Sequence, residues 1–175
     1  MMQMKPWNVE ICDVTLRDGE QTPGVSFTPD EKKDIATRLD AIGIEIIEAG
    51  FPIVSVHEKE MIKEISRLGL SAKICGLARA CREDVDASLD AEVDMIGLFI
   101  GTSDLHLKCK HKKPREVVVA NALEQLDYAV DHGLIVRFGA EDASRTDPDI
   151  LVDIYRQAAE HKADYVTFAD TTGCL

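Results

Sequence analysis

The charged residues with the clearest chemical potential follow the first apolar stretch of the chain. Residues 9–16 are mostly apolar and β-branched and predict a strand, which Gly19 ends. Arg17, Asp18 and Glu20 come directly after this stretch. A permanent cation beside two carboxylates at the carboxyl end of a strand can bind an anionic substrate and a hard metal ion. The alternative is a solvated strand end with a local ion pair.

The composition limits the classes of partner. Hydrophobic residues make up 45% and charged residues 30% of the 175 positions, as in a globular domain. The net charge of -12 argues against nucleic acid or an anionic membrane surface as the main partner. No apolar run approaches the roughly 20 residues of a membrane span. Five cysteines without metal-type spacing indicate reduced thiols. We therefore expect a cytoplasmic protein that binds neither nucleic acid nor a membrane.

Strand patterns alternate with helical patterns along the whole chain. The predicted strands cover residues 9–16, 44–49, 73–78, 93–100, 134–139 and 165–169. Nearly continuous apolar strands indicate a parallel sheet covered by helices. The polar strand ends Arg17, Glu48 and Arg79 are 31 residues apart, and an eightfold barrel needs about 31 residues per unit. Because no Gly-x-Gly-x-x-Gly follows the first strand, the sequence predicts a (β/α)8 TIM barrel rather than a doubly wound sheet.

This barrel prediction is incomplete in one respect. The sequence contains about six of the eight β/α units that a closed barrel needs. We therefore expect residues 1–175 to be the N-terminal portion of a TIM-barrel catalytic domain, without strands seven and eight. A truncated form, an incomplete gene product and one half of a split barrel all remain open.

Six segments of the sequence, in order, resemble the signatures of one enzyme family. They are TLRDGEQTPG (15–24), EIIEAGFP (45–52), GLARA (76–80), GTSDLH (101–106), EDASRTD (141–147) and DTTG (170–173). Together they cover nearly the whole chain and are similar to the isopropylmalate, homocitrate and citramalate synthases. The hydroxymethylglutaryl-CoA lyases and pyruvate carboxylase domains, which share the barrel, match less well around residues 22–27.

The resemblance implies a Claisen-type condensation. An acyl-CoA, usually acetyl-CoA, loses a proton from its α-carbon, and the enolate attacks the ketone of a 2-oxo acid. Hydrolysis of the thioester then releases CoA. A divalent metal ion, Mg²⁺, Mn²⁺ or Zn²⁺, would bind the 2-oxo acid through its carboxylate and ketone oxygens. The 2-oxo acid can be 2-oxoglutarate, 2-oxoisovalerate or pyruvate, because selectivity depends on pocket shape.

The resemblance also implies roles for individual residues. Asp18 matches the carboxylate ligand of the metal, since an acidic oxygen suits a hard cation. Arg17 matches a residue that binds substrate and stabilises negative charge on the reacting oxygen. The remaining matched positions are active-site residues Glu141 and His106 and substrate-binding residues Gln21 and Thr171.

Two further strand-end residues have alternative interpretations. Glu48 would contact substrate, or it would pair with Arg17 or Arg79 inside the barrel. Arg79 would line the pocket and bind substrate, or it would be a buried counter-ion. Asp170 is expected to shape the site rather than to bind the metal.

One dense basic run, KCKHKKPR (108–115), follows the fourth strand. On the active-site side of a barrel, it could meet the phosphates of CoA, and a solvated loop is the alternative. His57, His111, His132 and His161 are expected to be ordinary surface histidines.

The sequence departs from the family at the metal site. The family binds its metal with a His-x-His pair on strand seven as well, and this sequence contains no such pair. A single carboxylate does not hold a divalent ion tightly, so the isolated chain is expected not to turn over. The alternative is a non-catalytic half-barrel, or one half of a split enzyme, that associates through its open sheet edges. For the family activity, we expect a homodimer.

Overall fold

Parallel strands form the centre of the fold. The computed structural model describes residues 9–175. The strands of these residues are β1 (Cys12–Asp13), β2 (Ile46–Gly50), β3 (Lys73–Arg79), β4 (Met95–Gly101), β5 (Ile135–Glu141) and β6 (Tyr165–Phe168). Each strand pairs in parallel with the next along the chain, in the order β1-β2-β3-β4-β5-β6. A doubly wound sheet reverses its strand order partway, so this sequential order confirms the predicted barrel architecture as a half-barrel.

Helices connect successive strands. They are α1 (Pro29–Ala41), α2 (Val56–Ser66), α3 (Arg82–Asp90), the short turn α4 (Asp104–His106), α5 (Arg115–Asp131) and α6 (Pro148–Glu160). A capping box begins α1, because Thr28 Oγ1 accepts the N–H of Glu31 at 3.3 Å and the Glu31 carboxylate accepts the N–H of Thr28 at 2.7 Å. Gly43, with a φ of +89°, follows the end of α1, where glycine adopts this left-handed conformation without strain.

The hydrophobic core lies between the sheet and these helices. Outward side chains of the strands, such as Ile47, Ile96 and Phe138, are fully buried against the helices. Among the described residues, no helix combines the length and apolarity that a membrane crossing would require.

The first strand is much shorter than predicted. Residues 9–16 were expected to be extended, but only Cys12 and Asp13 pair with β2. The reason lies in Val14, whose carbonyl oxygen accepts the N–H groups of Arg17, Asp18 and Gly19 at 2.8–3.2 Å. These bonds fold the chain into a turn that contains the charged residues Arg17 and Asp18. The site residues near position 17 are therefore carried by an irregular segment.

The inward faces of the strands differ along the barrel axis. At the amino-terminal end, Ile46, Cys75 and Met95 form a small apolar layer with Cys12 and Tyr165. Burial raises the pKa of the Cys75 thiol, so this layer stays uncharged at neutral pH. Glu48 on β2 and Arg137 on β5 follow this layer towards the carboxyl ends of the strands, which we call the barrel mouth.

Candidate active site

Glu48 is the centre of a buried charge cluster in the barrel mouth. Its side chain is 1% exposed, and its Oε1 accepts a hydrogen bond from Arg17 Nε at 2.5 Å. Its Oε2 forms an ion pair with Arg137 of β5. Arg17 also reaches Asp18, with 2.7 Å between Nη1 and Oδ1. The predicted pairing of Glu48 with Arg17 is confirmed, and the alternative pairing with Arg79 is wrong.

Arg137 is a site residue that the sequence interpretation missed. Its guanidinium lies over Gly97, where an added Cβ would be 2.9 Å from Nη2, and its Nη1 is 3.1 Å from Cys12 Sγ. Burial by itself would lower the Arg137 pKa, but the ion pair with the Glu48 carboxylate opposes this effect, and the Arg137 pKa is raised. The sequence did contain an indication of this role, because Arg137 is a charged residue within the otherwise apolar run 134–138.

A second cluster lies at the carboxyl end of β5. Glu141 forms an ion pair with Lys110, and its Oε2 is 3.7 Å from His106 Nδ1. Asp142 is fully buried, accepts a 2.5 Å hydrogen bond from Ser103 Oγ, and lies 3.9 Å from His106 Nε2. The paired Arg145 side chain is the main reason that the pKa of Asp142 lies below its usual value. His106 therefore lies between two acidic side chains, and its Nδ1 is buried without a hydrogen-bond partner among the described residues.

One cavity brings most of the predicted residues together. It has a volume of about 450 Å³ and is open at the barrel mouth. The predicted site residues that line it are Arg17, Asp18, Gln21, Glu48, Glu141 and Thr171. His106 is adjacent through Glu141. Thr171 Oγ1 also accepts the N–H of Asp142 at 2.9 Å, which connects the residues after β6 to those after β5.

The structure separates Arg79 from this mouth cavity. Arg79 forms two side-chain hydrogen bonds with the Asp84 carboxylate of α3, at 2.7 and 2.9 Å, and its side chain is 56% exposed. The interpretation of Arg79 as a buried counter-ion is therefore wrong. Its exposure results from its position at the strand end beside the α3 amino terminus, where Asp84 is the nearest anion.

His111 is less exposed than predicted. Its ring is partly buried, and its Nε2 is enclosed without a hydrogen-bond partner among the described residues. Burial is the main cause that lowers its pKa, with Lys110 adding to the effect. His57, His132 and His161 do lie at the surface of helices or their ends.

Gly101 leaves room for the His106 ring. A Cβ added to Gly101 would lie 2.5 Å from His106 Nδ1 and 2.8 Å from His106 Cβ. We predict that Gly101→Ala displaces the imidazole and costs about 1–3 kcal/mol of stability. Gly139→Ala is the matched control, because its nearest contact would be an ordinary 3.4 Å. Imidazole NMR shifts and urea unfolding would measure both effects; equal results for the two variants would contradict the prediction.

The described residues do not form a metal site by themselves. No three His, Cys, Asp or Glu side chains between residues 9 and 175 come together in a suitable arrangement. Asp18 contributes one carboxylate, which is 59% exposed and already paired with Arg17. A divalent ion would need further ligands, since hard cations are held by several oxygen or nitrogen atoms.

The fold and this site define a protein of the (β/α)-barrel class with its polar site at the carboxyl ends of the strands. Within that class, the chain belongs to the HMGL-like family, whose family model matches residues 8–175. The family predicted from the sequence signatures is thereby confirmed.

Proteins that are about 50% identical to this chain in sequence are named as synthases. The homocitrate synthase AksA of Methanosarcina acetivorans is 53% identical over 175 residues, which are 99% of this chain and 43% of that protein. The 2-isopropylmalate synthase of Methanocaldococcus jannaschii is 51% identical over 97% of this chain and 33% of that protein. A putative (R)-citramalate synthase CimA of Methanothermobacter thermautotrophicus is 50% identical over 95% of this chain and 34% of that protein. The chain spans less than half the length of these relatives.

Solved structures support the same fold. The HMG-CoA lyase of Bacillus subtilis superimposes with a TM-score of 0.81 over 97% of this chain and 60% of that chain. Its sequence identity is 17%, so this likeness concerns the fold alone.

Proposed function

We propose that this chain supplies part of the active site of an acyltransferase that condenses acetyl-CoA with a 2-oxo acid. The observation that carries the proposal is the gathering of Arg17, Asp18, Glu141 and Thr171 around Glu48 in one mouth cavity. Relatives of about half identity are named as synthases of homocitrate, 2-isopropylmalate and citramalate, and all three names fit this chemistry. The substrate would be 2-oxoglutarate, 2-oxoisovalerate or pyruvate accordingly.

The side chains of the mouth cavity suit the charges of this reaction. The Arg17 guanidinium would bind the oxygen on which negative charge grows when the enolate attacks the ketone. The Thr171 hydroxyl would donate a hydrogen bond to the carboxylate of the 2-oxo acid. Glu141 and His106, which lie 3.7 Å apart, would exchange the proton between the acyl group and the product alkoxide.

The proposed reaction requires a divalent metal ion. Asp18 would provide one ligand to Mg²⁺, Mn²⁺ or Zn²⁺, but the described residues do not fit a metal on their own. No step of the proposed mechanism is therefore assigned to the metal here.

A second, basic cavity could accept the CoA part of the substrate. It has a volume of about 560 Å³, and three of its lining residues are positively charged: Arg79, Lys110 and Lys113. Phe99 lines both cavities. Lys110 lines the second cavity and forms an ion pair with Glu141, which lines the mouth cavity, so the two cavities are neighbours at the barrel mouth. Positive side chains favour phosphate groups, even though the net charge of the whole protein is -12.

A non-catalytic chain that associates through its sheet is the second candidate. On β6, Val166 and Phe168 are 48% and 47% exposed, whereas their β5 partners Phe138 and Ala140 are fully buried. An uncovered apolar strand face favours association with another polypeptide.

A free-thiol assay for CoA release distinguishes the candidates. Each reaction mixture contains acetyl-CoA, a divalent metal ion and one of the three 2-oxo acids. Two proteins are compared: this chain, and a chimera that continues it with the part of the M. acetivorans relative beyond the aligned residues. We expect release by the chimera with one 2-oxo acid and none by the chain alone. A folded but silent chimera, beside an active intact relative, would overturn the proposed function.

A further inference from the structure

The segment that carries Arg17 and Asp18 has little regular structure. Between β1 and α1 it forms turns and one short 3-10 turn, Gly19–Gln21, and residues 21–26 are exposed. Exposed irregular segments are usually mobile. The geometry of the proposed site, however, requires the Arg17 guanidinium to stay beside Glu48. Contacts outside the mouth cavity must therefore restrain this segment.

A buried lysine provides such a restraint. Lys32 of α1 is 4% exposed, and its Nζ lies 2.7 Å from Glu20 Oε2 and 3.0 Å from Glu58 Oε2. Glu20 belongs to the irregular segment, and its Oε1 accepts the N–H of Phe27 at 3.0 Å. The ion pair thus connects α1 to the segment three residues after Arg17.

The other end of this ion triad is attached to the sheet. Glu58 of α2 packs against Gly50, the last residue of β2, where an added Cβ would overlap its carboxylate and lie 3.0 Å from Ile62 Cδ1. Gly50 is two residues after Glu48, the partner of Arg17. Burial by itself would lower the Lys32 pKa, but the two carboxylates outweigh burial and raise that pKa, so Lys32 stays charged.

We propose that Lys32 is a positioning residue that holds Arg17 in its ion pair with Glu48. The triad of Glu20, Lys32 and Glu58 joins the segment of Arg17 to the strand of Glu48, and none of these three residues lines the mouth cavity. The value of this restraint for catalysis rests on the proposed function. The restraint itself is a property of this chain and can be measured without turnover.

The direct test is the Arg17 Nε–Hε signal in ¹⁵N NMR spectra of this chain, assigned by its loss in Arg17→Lys. We expect Lys32→Met to accelerate solvent exchange of this proton by about tenfold or more, since charge-assisted hydrogen bonds shift local opening equilibria by such factors. Lys33→Met is the matched control, because Lys33 pairs with Asp30 and Glu64 at the surface. It is expected to leave the signal unchanged.

Further variants keep the inference testable whatever Lys32→Met does. Lys32→Arg retains the charge and is expected to restore slow exchange at least in part. If Lys32→Met does not fold, Glu20→Gln removes the partner carboxylate, which is 24% exposed, and should have the same effect. An Arg17 signal unchanged in folded Lys32→Met, or in Glu20→Gln, would overturn the proposal. A silent chimera in the thiol assay would overturn only the proposed function.

Discussion

Arg17→Met in the active chimera is expected to lower kcat/KM for the condensation by about 10³-fold, the upper range for removing one oxyanion donor. Arg17 lines the mouth cavity, and its Nε is fixed by Glu48 at 2.5 Å. The guanidinium is therefore oriented before substrate arrives, and charge on the reacting oxygen meets an oriented donor. Methionine keeps a similar length but supplies neither charge nor donors. Steady-state thiol release would measure the loss.

Two variants make this result specific. Arg17→Lys keeps the charge but not the planar fork of donors, so it is expected to recover only a small part of the activity. Arg38→Met removes an arginine whose only ion pair within residues 9–175 is with Asp34 on the exposed side of α1, and it should leave kcat/KM unchanged. Activity of Arg17→Met within a few-fold of the parent chimera would show that Arg17 does not stabilise the transition state.

The spacing of polar strand ends was the strongest predictor of the architecture. Arg17 and Glu48 are 31 residues apart in sequence, and their side chains meet because Arg17 follows β1 and Glu48 lies on the neighbouring parallel strand β2. Glu141 and Thr171, which the resemblance to the synthases indicated, line the same mouth cavity. Position along a parallel strand therefore predicts which residues gather, because all strands end on one side of the barrel.

Side-chain partners were less predictable than positions. The spacing of strand ends predicts that Arg79 lies near Glu48. The Arg79 guanidinium instead donates its hydrogen bonds to Asp84, which is only five residues further along the chain. Arg137 was overlooked because it lies mid-strand rather than at a strand end. Only the three-dimensional packing shows that Gly97 leaves space for its guanidinium. Local competition of this kind depends on distances that the sequence pattern does not contain.

The length of the first strand was misjudged for a related reason. The residues 9–16 have strand-forming types, but Val14 offers its carbonyl to three N–H groups of the following turn. Intrinsic preference for a strand is weak and yields to such local hydrogen bonding. The consequence is functional, since Arg17 and Asp18 depend on side-chain ion pairs for their placement.

The second large effect concerns stability rather than turnover. Glu48→Gln is expected to destabilise this chain by about 3–5 kcal/mol, the usual cost of breaking a buried ion pair by removing one partner. Glu48 is 1% exposed and neutralises both Arg17 and Arg137, whose side chains are 21% and 16% exposed. The amide has almost the same shape as the carboxylate, so packing is retained and only the negative charge is lost. Urea unfolding would measure the change.

A double substitution separates charge from packing in this effect. Glu64→Gln, which removes the exposed partner of Lys33, is the surface control and should cost less than about 1 kcal/mol. In Glu48→Gln with Arg137→Gln, one unpaired cation is removed together with the anion. We expect its cost to fall below the sum of the two single costs by about 1 kcal/mol or more, as for residues in direct contact. Additive costs would mean that Glu48 and Arg137 act independently, and the buried charge cluster would then not be a single unit.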